Sequence, residues 1–68
     1  MAERFPPTSD QIREARLYLA GTKERAEEIS CFMSAGYGSD DQRAIRAQEL
    51  VGAIQRLIWE LERADANL

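Results

Sequence analysis

Small and apolar residues recur along the first half of the chain at Ile12, Ala15, Leu19, Thr22, Ala26, Ile29 and Met33, in steps of 3, 4, 3, 4, 3 and 4. That spacing returns to the same face of an α-helix every seven residues, so it predicts one long amphipathic helix with Thr22 as the only polar member of its seam. Pro6-Pro7 disfavours helix ahead of it. Thr8-Ser9-Asp10-Gln11 then has the form of a capping box, a hydroxyl followed three residues later by an amide. Ser9 is an alternative cap. Asp10 suits the positive end of the helix dipole. The expected helix covers about 9–34, with residues 1–7 as an irregular lead-in.

A second seam runs through Ala47, Leu50, Ile54, Leu57, Leu61 and Ala64, widened on one side by Val51 and Ile58. Ser39-Asp40-Asp41-Gln42 repeats the start signal, and Ala35-Gly36-Tyr37-Gly38 supplies the glycines that end helices and form loops. The second helix is expected at about 40–65, after a loop at 35–39 and before a tail at 66–68. Two matched helices joined by a short loop make an antiparallel hairpin, so residues 1–68 read as a single all-α domain. The competing reading is a three-helix domain broken at Gly21, since an interior glycine costs about 1 kcal/mol relative to alanine. Continuity of register through Leu19, Thr22 and Ala26 favours the unbroken helix.

A hairpin covers only one stripe on each helix. Here Leu17, Tyr18, Phe32, Val51 and Ile58 add apolar surface beyond those stripes. Burying a Leu- or Phe-sized side chain contributes about 1.5–3 kcal/mol, so a second layer is expected. Its simplest form is a homodimer closing a four-helix bundle. The expected interface holds Leu19, Ile29, Met33, Leu50, Val51, Ile54, Leu57, Ile58 and Leu61.

Composition points the same way. A chain of 68 residues rarely builds a strong core unaided. Cys31 is the only cysteine and there is no histidine, so neither an internal disulfide nor a structural zinc site is available. The expectation is a protein with no metal, no cofactor, no catalytic residue and no enzymatic activity. The net charge of −3 does not favour nucleic acid or anionic lipid. No apolar run reaches the ~20 residues of a membrane span. Met1-Ala2-Glu3-Arg4 lacks a signal-peptide layout, and a cytoplasmic location is expected.

Trp59 is the foremost candidate contact, placed opposite the second seam with Gly52 two turns earlier. Tryptophan is enriched at binding hot spots, and the gap at Gly52 offers room for a partner's side chain. Packing within an oligomer is the alternative role for Trp59. Tyr18 and Phe32 share a flank of the first helix with Arg25 between them, a strip suited either to a partner or to dimer packing. Tyr37, at the loop tip, is a further candidate contact for a partner. The loop before the second helix lacks a phosphate-binding pattern, and Asp40 and Asp41 would repel an anion there. Cys31 is expected on the outer side of the first helix as an inert thiol. Arg13, Arg16 and Lys23 could share one flank and contact a nucleic acid.

Two near-equal helices and one short loop resemble the Rop-type RNA-binding dimers, in which hairpins pair into a four-helix bundle. The resemblance is topological, spans nearly the whole chain and carries no RNA-contacting residue across. In size and hairpin design the chain also resembles small bacteriophage-encoded inhibitors that dock onto host regulatory or defence proteins. The functional expectation is a homodimer that binds and modulates an unidentified larger protein, as a phage-type inhibitor or a regulatory adaptor. RNA or nucleotide binding on the arginine flank is the alternative.

Overall fold

A computed structural model of the chain describes residues 4–66. Two helices, α1 (Ser9–Tyr37) and α2 (Gln42–Ala66), pack against each other as a hairpin. Among the described residues there is no strand. Thr8 is the N-cap of α1, and both halves of the capping box form. The Gln11 backbone N–H donates to Thr8 Oγ1 at 3.2 Å, and the Thr8 N–H donates to Gln11 Oε1 at 2.8 Å. Gly21 lies inside α1 with no break, which removes the three-helix alternative.

The helix ends differ from the expected ones for local reasons. α1 continues through Gly36 to Tyr37, three residues past Ser34. Gly36 has ordinary helical backbone, and Gly38 takes the positive φ of 97° that turns the chain. The Gly38 N–H closes the helix by donating to the Ser34 carbonyl at 2.9 Å. α2 begins at Gln42, two residues later than expected. Ser39 is not its cap; Asp41 takes that place, its Oδ1 accepting from the Arg43 N–H at 2.9 Å. A carboxylate caps a helix start well because it also meets the positive end of the dipole. The loop is therefore 38–41 rather than 35–39. Ala66, expected in the tail, belongs to α2, while Asn67 and Leu68 lie outside the described residues, as do Met1 to Glu3 of the lead-in.

Packing between the helices follows the expected seam on α1 but not on α2. Ile12 and Ala26 are buried, with Ala15, Leu19, Thr22, Ile29 and Met33 half-buried along the same line. On α2 the line turned towards α1 is Ala44, Ala47, Val51, Ile54, Ile58 and Leu61, of which Ala44 and Ile54 are buried and the others half-buried. Leu50, Leu57 and Ala64, expected in the seam, are exposed. Two apolar lines overlap on this helix and share residues 47, 54 and 61, so either rotation satisfies the pattern. Burial shows which rotation the helix takes: Ala44 is 1% and Ile54 7% exposed, so the line through them faces α1.

The hairpin measures 45 × 28 × 15 Å, so it is about one helix thick in its shortest direction. Its hydrophobic core is small: Ile12, Ala26, Ala44 and Ile54, two of them alanines. The other large apolar side chains remain at least partly in contact with solvent.

Candidate functional site: two broad faces of the hairpin

Ion pairs and grooves define which flanks of the two helices share a side. At the open end of the hairpin, Arg16 NH1 donates to Asp65 Oδ2 at 3.1 Å and Ser9 Oγ donates to Asp65 Oδ1 at 3.3 Å. Arg16 also approaches Glu62 at 3.9 Å. One shallow groove on this side runs between Arg13, Arg16, Leu17 and Ala20 of α1 and Ile58 and Glu62 of α2. A second lies nearer the loop, between Glu27, Ser30 and Cys31 of α1 and Gln48, Val51 and Gly52 of α2. This is the polar-rimmed face.

At about 100° per residue, Tyr18, Ile29 and Phe32 fall on the opposite flank of α1, and Leu50 and Leu57 on the matching flank of α2. Tyr18 is 75% exposed, Phe32 57%, Leu50 53% and Leu57 48%. Four large apolar side chains thus stand on one open broad face with no layer over them. Exposed apolar groups gathered on one face of a small protein mark an interaction surface, whereas scattered ones need no explanation.

The candidate residues consequently separate. Tyr18 and Phe32 belong to the open apolar face. Trp59 and Gly52 project from the outer flank of α2 on the side of the polar-rimmed face. Trp59 is 55% exposed. The expected gap beside the indole is partly filled, because the Arg56 guanidinium lies over Gly52. A Cβ built on Gly52 would meet Arg56 NH1 at 3.4 Å. The i,i+4 spacing of Gly52 and Arg56 is the signal by which sequence alone could have placed them together. Of the expected interface set, Ile54 is buried within the hairpin, while Leu19, Ile29, Met33, Val51, Ile58 and Leu61 are half-buried between its helices.

Tyr37 closes α1 and lies under the Arg43 guanidinium, whose Cζ is 3.5 Å from the ring centroid. Arg43 in turn pairs with Asp41 through Nε at 3.0 Å and through NH2 at 3.3 Å. The hydrogen bonds from the Arg43 side chain and backbone hold the Asp41 carboxyl below its ordinary range, and the same pairing raises the Arg43 guanidinium. Tyr37 is thus held by a staple across the turn rather than left as a free tip. Sequence reasoning missed the staple, although an arginine two residues after the capping aspartate was visible.

The expected basic flank is also paired. Arg13 meets Asp10 at 3.3 Å, Arg16 meets Asp65, and Lys23 meets Glu27 at 3.6 Å. Partnered cations of this kind give a weak field for phosphate compared with an open basic strip. Cys31 is exposed, as its outer position on α1 predicts. Among the described residues no three or more Cys, Asp or Glu side chains come together as a metal site, and no helix is long and apolar enough to cross a membrane.

Neither protein-family models, nor curated proteins, nor solved structures provide a match to this chain.

Proposed function

We propose that this chain is a homo-oligomeric interaction module, most simply a homodimer, that binds and modulates a larger protein. The observation that carries this reading is a hairpin one helix thick that leaves large apolar side chains exposed on both of its broad sides, with Tyr18, Phe32, Leu50 and Leu57 on one and Leu17 and Trp59 on the other. One such surface accommodates self-association, and the other remains for a different protein. The paired state of Arg13, Arg16 and Lys23 supports protein rather than RNA as the partner.

The reading assigns Trp59 to the larger protein. Trp59→Ala is expected to keep the far-UV helical signal and the oligomeric mass while weakening capture of that protein by about 2 kcal/mol or more. Capture from a lysate of the encoding organism, run in parallel for the two forms and read by mass spectrometry and light scattering, checks this. A Trp59→Ala chain that loses its own self-association would place the indole in the oligomer interface instead.

A further inference from the structure

We propose that a second copy of this chain covers the face bearing Tyr18, Phe32, Leu50 and Leu57, packed with its loop at the opposite end. This rests on the self-association proposed above and specifies its face and orientation. The occupant follows from size, symmetry and charge.

The open face lies within a broad side of 45 × 28 Å, ample for the roughly 800 Å² per partner that a stable interface buries. A second hairpin would supply the missing layer.

The face repeats itself when turned end for end. Tyr18 and Phe32 each lie seven residues from Arg25 on α1. On the matching flank of α2, Arg46 and Glu60 each lie seven residues from Ala53, with Leu50 and Leu57 inside them. A two-fold axis across the middle of the face therefore sets each α1 antiparallel on its counterpart and brings Tyr18 to Phe32 of the partner. It likewise brings Leu50 to Leu57 in both halves at once, and sets the Arg46–Glu49 pair, closed at 2.9 Å, beside the partner's Glu60–Arg63 pair, closed at 3.2 Å, so that opposite charges meet there. A closed dimer requires this kind of self-complementarity. Arg25 sits near the axis with its own Glu28 at 2.7 Å, so two ion pairs meet there rather than two bare cations. Placing the loops at the same end would instead stack each α1 on the partner's α2 and remove the Tyr18–Phe32, Leu50–Leu57 and Arg46–Glu60 matches. Trp59 and Cys31 stay outside the interface in this arrangement.

The test uses the full chain at micromolar concentration. Leu50→Glu and Leu57→Glu are each expected to raise the dimer Kd by about 100-fold or more with unchanged helicity, while Trp59→Glu leaves it unchanged. Arg46→Glu and Glu60→Arg are each expected to weaken self-association, and mixing the two variants to restore a heterodimer. Spin labels at Ser39→Cys in a Cys31→Ser background should lie about 45 Å apart, near the length of the hairpin. A label separation of roughly 20 Å or less, about two helix diameters, would place the loops together and overturn the orientation, as would a mixture that does not re-associate. A dimer that survives both leucine substitutions and is lost with Trp59→Glu would move the interface to the other face while leaving the homodimer standing. A wild-type chain that stays at 7.7 kDa at high concentration would overturn the homodimer itself.

Discussion

Gly21 occupies an exposed position inside α1, and nothing lies within 4 Å of where its Cβ would be. Its only local effect is entropic, since glycine loses more backbone freedom on folding than alanine. Gly21→Ala should therefore raise stability by about 1 kcal/mol, seen as a higher Tm in thermal denaturation followed by circular dichroism. Asp41 calls for a different measurement. Its carboxyl is held below the ordinary range chiefly by the Arg43 side chain. Its contribution is therefore complete above the unfolded carboxylate value near pH 4 and declines as pH falls through the lowered native value. Asn can still cap the helix but cannot make the ion pair. Wild type should melt above Asp41→Asn at pH 6, and the two should converge on acidification.

At the scale of the helices, the ends carry most of the specific polar bonding. The turn is held by Gly38 and the Tyr37–Arg43–Asp41 staple, the start of α1 by Thr8 and Gln11. The open end depends on Asp65. A carboxylate in the last turn of a helix opposes the dipole, and Arg16 and Ser9 of α1 offset that by binding it. The Arg16 and Asp65 side chains are 35% and 27% exposed, so solvent screens the pair and its contribution is about 0.5–1 kcal/mol. Asp65→Ala should speed amide hydrogen exchange over residues 60–66 and leave the turn unaffected. Equal acceleration at both ends would mean that the hairpin opens only as a whole.

For the whole molecule, the decisive feature is how little apolar surface one hairpin covers. Ile12 and Ile54 are the large side chains in its buried core, while two leucines and two aromatics stand open on one face. A chain of this size generally requires self-association or another staple. Binding that favours the folded state links stability to concentration, so Tm should rise across a dilution series from low to high micromolar. A Tm independent of concentration would show that the hairpin stands alone.

Much of the architecture is encoded locally. The seam from Ile12 to Met33, the hydroxyl and amide of the first cap, and the glycines between the helices are short-range signals, and they determined two helices, one turn and the N-terminal boundary of α1. Local signals could not decide which glycine makes the turn, because a glycine tolerates both helical and positive φ; hydrogen bonding from Gly38 to Ser34 settled that. Nor could periodicity choose between the two apolar lines of α2, which share three residues and differ by a small rotation. Packing against α1 made that choice in three dimensions, with Ala44 and Ile54 buried. The same rotation turned Val51 and Ile58 towards α1 and left Leu50 and Leu57 outside, on the face shared with Tyr18 and Phe32. Sequence pattern thus determined how much apolar surface the chain has, and tertiary packing decided where the uncovered part lies, because burial depends on neighbours distant in the chain.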